Sequence, residues 1–314
     1  MNTIKKSVVS EQSLLEGLIE SNNDKFPLSV SYLTNKLLVK ELLKKLIERV
    51  ESKPSSNIFQ QIVNLNRCVG DFYSVKKYLK KWLSIYPYDK NANYLYRLFI
   101  KNKIDQRDYD TNQVKPASFK IYSEFLNRAE HDYFISKVIR HESSFKDDGI
   151  FYGDRSEIDK TKRYTKFFKL NDNEKQLFIR KLAPKVDGLL NNFLLEKLAI
   201  KEFELKLTVH PKGGFFHIHQ DGFYKIRGGV RVLSWIYYFY NLPKNFTGGD
   251  LILFDSNCNN ENHQYHQERF TRYIPVDNQL IIFPSHFFHG VTPVDMPVSN
   301  FISSRFAISG HIRF

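Results

Sequence analysis

The sequence predicts an α+β protein, with a helical front part followed by an antiparallel β sandwich or jelly roll. Two observations carry this. Apolar residues recur every three to four positions through the front third and again over 122–142 and 172–197, and every second position from Glu202 onward. From there, turn signals such as Pro211–Gly214, the Gly-Gly pairs at 228–229 and 248–249, and Pro284–Ser285 separate about eight short strand-like runs. A third observation says where chemistry belongs: eight of the ten histidines lie from His210 onward.

Length and composition bound the reading. A chain of 314 residues allows one large domain or two ordinary ones. With 26% charged and 42% hydrophobic residues it is globular rather than disordered. The two cysteines, Cys68 and Cys258, exclude a disulfide scaffold and a Cys-rich zinc module, and they suit a reducing, cytoplasmic setting. The first twenty residues lack the apolar core of a signal peptide, and no run is apolar enough to span a membrane. The formal charge of +13 invites a nucleic-acid partner. The excess is spread evenly, however, with +7 over residues 1–110 and +6 over the remainder. Its densest cluster, Lys76, Lys77, Lys80 and Lys81, shares one helix face and reads as solvated surface. A basic binding protein is therefore the weaker reading.

Residues 1–110 are expected to form a helical domain. Leu37, Leu38, Leu42, Leu43, Leu46 and Val50 give a helix that Pro54 stops. Phe59, Ile62 and Val63 share the next face, Gly70 marks a turn, Phe72, Val75, Leu79 and Trp82 form another face, and Pro87 closes it. Phe59–Pro87 resembles a tetratricopeptide repeat, two helices around a small turn residue. Val75 and Trp82 stand where small residues are usual. A helix over 92–103 follows. The polar stretch from Lys103 to Ser118 reads as a junction, and residues 111–314 as the second domain. In it, 122–142 and 172–197 read as amphipathic helices and 143–170 as an irregular loop region. The β core begins at about 202, with strands expected over 202–209, 214–220, 231–240, 250–254, 270–275, 279–283, 287–293 and 305–312.

Three pieces of this core point to a metal. His219 and Asp221, two apart in FFHIHQDG, face the same side of an extended strand end. His289, in IIFPSHFFHGVTPV, comes from a later strand. Two histidines and one carboxylate make the facial triad of non-haem Fe(II) oxygenases, which leaves positions open. Arg305, in the last strand, offers a fixed guanidinium for a carboxylate. His217 shares the face of His219 and reads as a pocket wall, with Arg231 and Trp235 as further substrate-pocket candidates. His286 is the alternative to His289. His263 and His266 sit in a polar insert and read as loop residues.

Over about 118–314 the chain resembles the 2-oxoglutarate-dependent Fe(II) oxygenases of the prolyl 4-hydroxylase-like branch. The likeness rests on LTVHPKGGFFHIHQDG, WIYYFYNLP, FTGGDLILF, IPVDNQLIIFPSHFFHGVTPV and RFAISGHIRF. It implies a double-stranded β-helix, with His219, Asp221 and His289 holding Fe(II) as the catalytic centre. It implies that Arg305 pairs with the distal carboxylate of 2-oxoglutarate, with Tyr238 and His210 beside it. A longer insertion before the Tyr-bearing strand, and a lengthened gap between His289 and Arg305, depart from the pattern; Arg313 is the fallback for Arg305. The implied reaction couples 2-oxoglutarate and molecular oxygen to C–H hydroxylation. The expected acceptor is a peptide or protein side chain, held through the helical front region. The alternative is a free amino acid or natural-product intermediate, with desaturation or ring closure open.

Overall fold

The computed structural model describes residues 36–103, 114–152, 155–197, 199–222, 229–257 and 264–314. Residues 1–35, most of the polar junction, the insertion at 223–228, Cys258 and His263 lie outside them.

The described residues open with four helices: α1 (Lys36–Ser52), α2 (Ser56–Val69), α3 (Phe72–Ile85) and α4 (Lys90–Tyr96). The expected helix over 92–103 is thus shorter, and a π-helical turn, Arg97–Lys101, completes it. The turn between α2 and α3 is made by Gly70, whose φ of +79° suits only a residue without Cβ. Asp71 then caps α3 by accepting from the Ser74 N–H. These helices bury their own core, with Phe59, Val75, Leu79 and Trp82 fully enclosed.

The remainder carries α5 (Arg128–Arg140), α6 (Asp172–Leu182) and α7 (Val186–Phe193). Its strands are β1 (Lys120–Ser123), β2 (Lys146–Asp147), β3 (Ile150–Tyr152), β4 (Arg155–Glu157), β5 (Arg163–Tyr164), β6 (Lys166–Phe168), β7 (Glu202–His210), β8 (Phe215–His219), β9 (Arg231–Phe239), β10 (Thr247–Gly248), β11 (Leu251–Ser256), β12 (Tyr265–Tyr273), β13 (Gln279–Pro284), β14 (His289–Val291), β15 (Val294–Asp295) and β16 (Arg305–Arg313). The large sheet has the order β1-β13-β9-β16-β7-β6-β2, and the smaller one β12-β11-β14-β8-β5. From β7 onward the chain winds between the two, β7, β9, β13 and β16 in one and β8, β11, β12 and β14 in the other. That winding is a double-stranded β-helix with supporting helices.

Three local expectations are corrected. The helix expected over 122–142 starts only at Arg128, because Asn127 and Glu130 close a capping box there, and residues 120–123 pair as a strand with β13. The helix expected over 172–197 is split by a short 3-10 turn at Ala183–Lys185, where Pro184 has no N–H to donate. The stretch 143–170 holds five short strands; β6 extends the large sheet beside β7, and β5 extends the small one beside β8.

The large sheet is apolar on its outer face, where Trp235, Tyr237, Phe239, Phe306 and Ile308 pack against Phe134, Phe178, Leu182 and Leu190 of α5–α7. Phe178 stacks on Trp235 at 5.6 Å, a favoured aromatic arrangement. Helices α1 and α2 cover the outer face of the small sheet, where Val39 and Cys68 meet Ile252, Phe254 and Phe270. Inside this contact Arg67 is buried. Its Nη1 donates to Asp255 Oδ2 at 3.2 Å, Nη2 pairs with the other oxygen, and Nε donates to Thr271 Oγ1 at 3.2 Å. Residues at the far end of the junction also dock, since Lys115 bridges to Ser256 and Ala117 is fully buried.

Removing one partner of such an enclosed pair leaves the other charge without compensation. Arg67→Met should lower the unfolding free energy by about 3–5 kcal/mol in a urea titration, and the double variant Arg67→Met, Asp255→Leu should recover most of that loss.

Candidate metal centre

The candidate ligands come from two neighbouring strand ends and one loop. β8 ends at His219, and β14 begins at His289 directly across the ladder. The loop between them in space carries Asp221. The N–H groups of Asp221 and Gly222 both donate to the Ser285 carbonyl, at 3.1 and 2.9 Å, which ties the end of β8 to the end of β13. One ligand atom from each of His219, Asp221 and His289 lies within 4.8 Å of the others, the one such cluster among the described residues.

The protons on this cluster follow from its hydrogen bonds. His219 Nδ1 lies 2.8 Å from the His217 carbonyl, and His289 Nδ1 lies 3.0 Å from the Phe287 carbonyl. A carbonyl only accepts, so each Nδ1–H donates and each Nε2 faces inward. His219 Nε2 is 3.5 Å from Asp221 Oδ1, and His289 Nε2 is 3.2 Å from Asp221 Oδ2. Burial, with His289 beside it, lowers His219 to about 4, so its imidazole is neutral at pH 7. Burial opposes ionisation of Asp221, but His311 and His289 hold it well below the usual carboxylate range. Imidazole nitrogens and a carboxylate oxygen aimed at one point fit a divalent cation, and this mixed set suits Fe(II).

A second polar group lies deeper in the barrel. Arg305 is 1% exposed, and no carboxylate among the described residues pairs with it. Its Nη1 donates to His210 Nδ1 at 2.8 Å, which fixes the His210 proton on Nε2. Burial, reinforced by Arg305, keeps His210 well below its ordinary pKa, hence neutral. Arg305 Nε, Arg305 Nη2 and His210 Nε2 are then buried donors with no hydrogen-bond partner among the described residues. Tyr238 lies under the guanidinium, 4.8 Å from ring centroid to Cζ, and burial pushes its phenol up to about 12. A desolvated cation with open donors is costly unless an anion meets it. The distal carboxylate of 2-oxoglutarate has that chemistry. Gly249 makes the space: at φ +64° it carries no Cβ, and one added there would sit 2.6 Å from Arg305 Cδ.

The other expected residues fall differently. Arg313 is engaged by Glu204 and by Glu202 at 3.8 Å, whereas the open donors belong to Arg305. Trp235 was expected in the substrate pocket; instead it points to the outer core against Phe178, because it alternates with Tyr238 on β9. Arg231 reaches Glu204 at 2.6 Å. His217 contributes its carbonyl to the orientation of His219. His286 stays outside the cluster and accepts from Gln220 Nε2 through its carbonyl. His266 lies in β12, which begins at Tyr265, five residues before the expected strand.

Three residues were missed. His311 Nε2 lies 3.2 Å from Asp221 Oδ2, and its Nδ1 lies 3.0 Å from Glu204 Oε2. Ser234 Oγ donates to Asp221 Oδ2 at 2.8 Å. The available signal was parity: His311 is six residues after Arg305 on one strand, hence on the same face.

Residues 205–313 match the 2OG-Fe(II) oxygenase superfamily. An uncharacterised PKHD-type hydroxylase of Synechocystis is 34% identical over 137 residues, which is 44% of this chain and 45% of that protein. The chain thus spans about half the length of the curated relative it matches. Among solved structures, a Pseudomonas putida prolyl-4-hydroxylase aligns with a TM-score of 0.43 at 17% identity, over 63% of this chain and 92% of that one. A Trichoplax adhaerens prolyl hydroxylase, solved with a hypoxia inducible factor peptide fragment, aligns with a TM-score of 0.44 at 20% identity, over 65% and 86%. The facing histidines, the carboxylate and the unpaired arginine all fall inside residues 205–313, the stretch that is similar to the 2OG-Fe(II) oxygenase superfamily.

Proposed function

We propose that the protein is an Fe(II)- and 2-oxoglutarate-dependent oxygenase that hydroxylates a C–H bond in a peptide or protein side chain. The observation that carries the reading is the pairing of two sites in one barrel: a convergent His-Asp-His set, and a buried guanidinium with open donors. His219, Asp221 and His289 would hold the metal from one side and leave its other side open. When bound, Fe(II) with 2-oxoglutarate and oxygen supplies the oxidising power for hydroxylation, with succinate and carbon dioxide as co-products.

The chain's own residues do the positioning. Arg305 and His210 orient the distal carboxylate of 2-oxoglutarate with donors already in place. Tyr238, Leu253, Ile281, Phe283 and Ala307 line the interior with apolar surface and keep water from it. For the acceptor, support comes from the helical layer. Helix α2 is fixed to β11 through Arg67 and Asp255, and β11 is the strand hydrogen-bonded to the His289 strand. A rigid helical surface attached there gives an extended chain somewhere to lie; the repeat-like reading of Phe59–Pro87 belongs to the same proposal. No helix among the described residues is long and apolar enough to cross a membrane.

Asp221→Ala and His219→Ala should each abolish Fe(II)-dependent succinate formation from 2-oxoglutarate; wild-type turnover in either variant refutes the centre. Chelation should stop turnover, and added Fe(II) should restore it. Arg305→Ala should raise the KM for 2-oxoglutarate about 10- to 100-fold, the worth of a charge-assisted hydrogen bond. For the acceptor, incubation of the full chain with a peptide library should yield a +16 Da product by mass spectrometry. Products only among free amino acids or small metabolites would refute the peptide reading.

A further inference from the structure

We infer that His311 and Glu204 are positioning residues that fix the Asp221 carboxylate for metal binding. The inference rests on the metal-centre reading above and deepens it. His311 and Glu204 stand directly opposite each other on β16 and β7. One ring nitrogen of His311 meets Glu204 Oε2 at 3.0 Å and the other meets Asp221 Oδ2 at 3.2 Å, so a single imidazole spans two carboxylates. Carboxylate oxygens only accept, so both contacts are donated by the ring.

Glu204 is in turn held from its other sides. Arg231 Nη2 lies 2.6 Å from Oε2, and Arg313 Nε pairs with Oε1. The far end of the relay is therefore anchored by two guanidinium groups. At the near end, Ser234 Oγ reaches the same Asp221 oxygen at 2.8 Å and is itself 2.8 Å from Ser285 Oγ. Asp221 Oδ2 is thus gripped from two directions. Its carboxylate cannot turn freely about its side-chain bonds, and the entropy of ordering it is met before a metal arrives.

A tether for the last strand is the rival account, and it is poorly motivated. β16 already pairs with β7 along its whole length, from Arg305 opposite His210 to Arg313 opposite Glu202. It pairs on its other side with β9 over almost the same span. The strand has no need of an inward-facing histidine to stay in place.

The test uses the full chain and Co(II) as the probe, titrated into metal-stripped protein and read by visible absorption, so that turnover is not needed. His311→Phe removes both donors from a ring of similar shape. His311→Gln keeps an amide donor toward Asp221. Circular dichroism and thermal melting establish that each variant is folded. We expect His311→Phe to weaken Co(II) about 10- to 100-fold and to shift its absorption bands, His311→Gln to lose less, and Glu204→Gln to fall between wild type and His311→Phe. Wild-type affinity and bands in His311→Phe would overturn the inference, as would equal losses in the Phe and Gln variants, since the donor would then not be the cause. If His311→Phe does not fold, unchanged affinity in both His311→Gln and Glu204→Gln overturns it. Wild-type protein that binds no Co(II) refutes the centre itself, and the relay with it.

Discussion

Side-chain alternation across the large sheet is the constraint on which both the core and the site depend. Along β7, Leu207 and Val209 point out to the helices, while Glu204, Lys206 and His210 point in. Along β16, Phe306, Ile308 and Ile312 point out, while Arg305 and His311 point in. Along β9, Trp235, Tyr237 and Phe239 point out, while Ser234 and Tyr238 point in. One sheet thus separates an aromatic core from a polar chamber. A register slip of a single residue would place Arg305 against Phe178 and Phe134 and turn Phe306 toward the cluster of His219, Asp221 and His289.

The chamber opposes folding and the outer core favours it. Among the described residues, a buried guanidinium without a carboxylate and a histidine donor without an acceptor are both unfavourable in a dry interior. They persist because the backbone on which they sit is fixed elsewhere. The aromatic cluster around Phe178 holds β9 and β16 from outside, and the Arg67–Asp255 contact holds β11, which in turn pairs with β14. Local rules are broken at the site and obeyed around it, the distribution expected where a scaffold positions reactive groups.

Much of this was legible in the sequence. The boundaries of β7, β9 and β16 follow the period of two closely, because their residues alternate between the helix-facing core and the interior of the barrel. His219, Asp221, His289 and Arg305 stand out because polar residues are uncommon at or just beyond the ends of such apolar strands and their sequence contexts are distinctive. Other features were hidden for definable reasons. Trp235 lies three residues before Tyr238 on β9, so strand alternation turns it to the opposite, outward face, which its sequence neighbours alone do not reveal. His311 has no local signature; its contacts are with Glu204, 107 positions away on the neighbouring strand, and with Asp221, on the loop that follows β8. Asp255 and Arg67, 188 positions apart, meet only through tertiary packing. The short strands of 146–168 are too brief for any period to register; β5 and β6 exist because β8 and β7 offer edges to pair with, β2 adds to β6, and β3 and β4 pair with each other.

Gly249 carries an implication for how this chain tolerates change. The space its missing side chain leaves is filled by the aliphatic stem of Arg305. Positions 249 and 305 are therefore linked: a methyl group at the first displaces the guanidinium at the second without altering any charged atom. The pocket around the Arg305 guanidinium is shaped partly by an absence. A substitution there would look innocuous on a list of polar contacts, yet it would act as a lesion of the anion pocket.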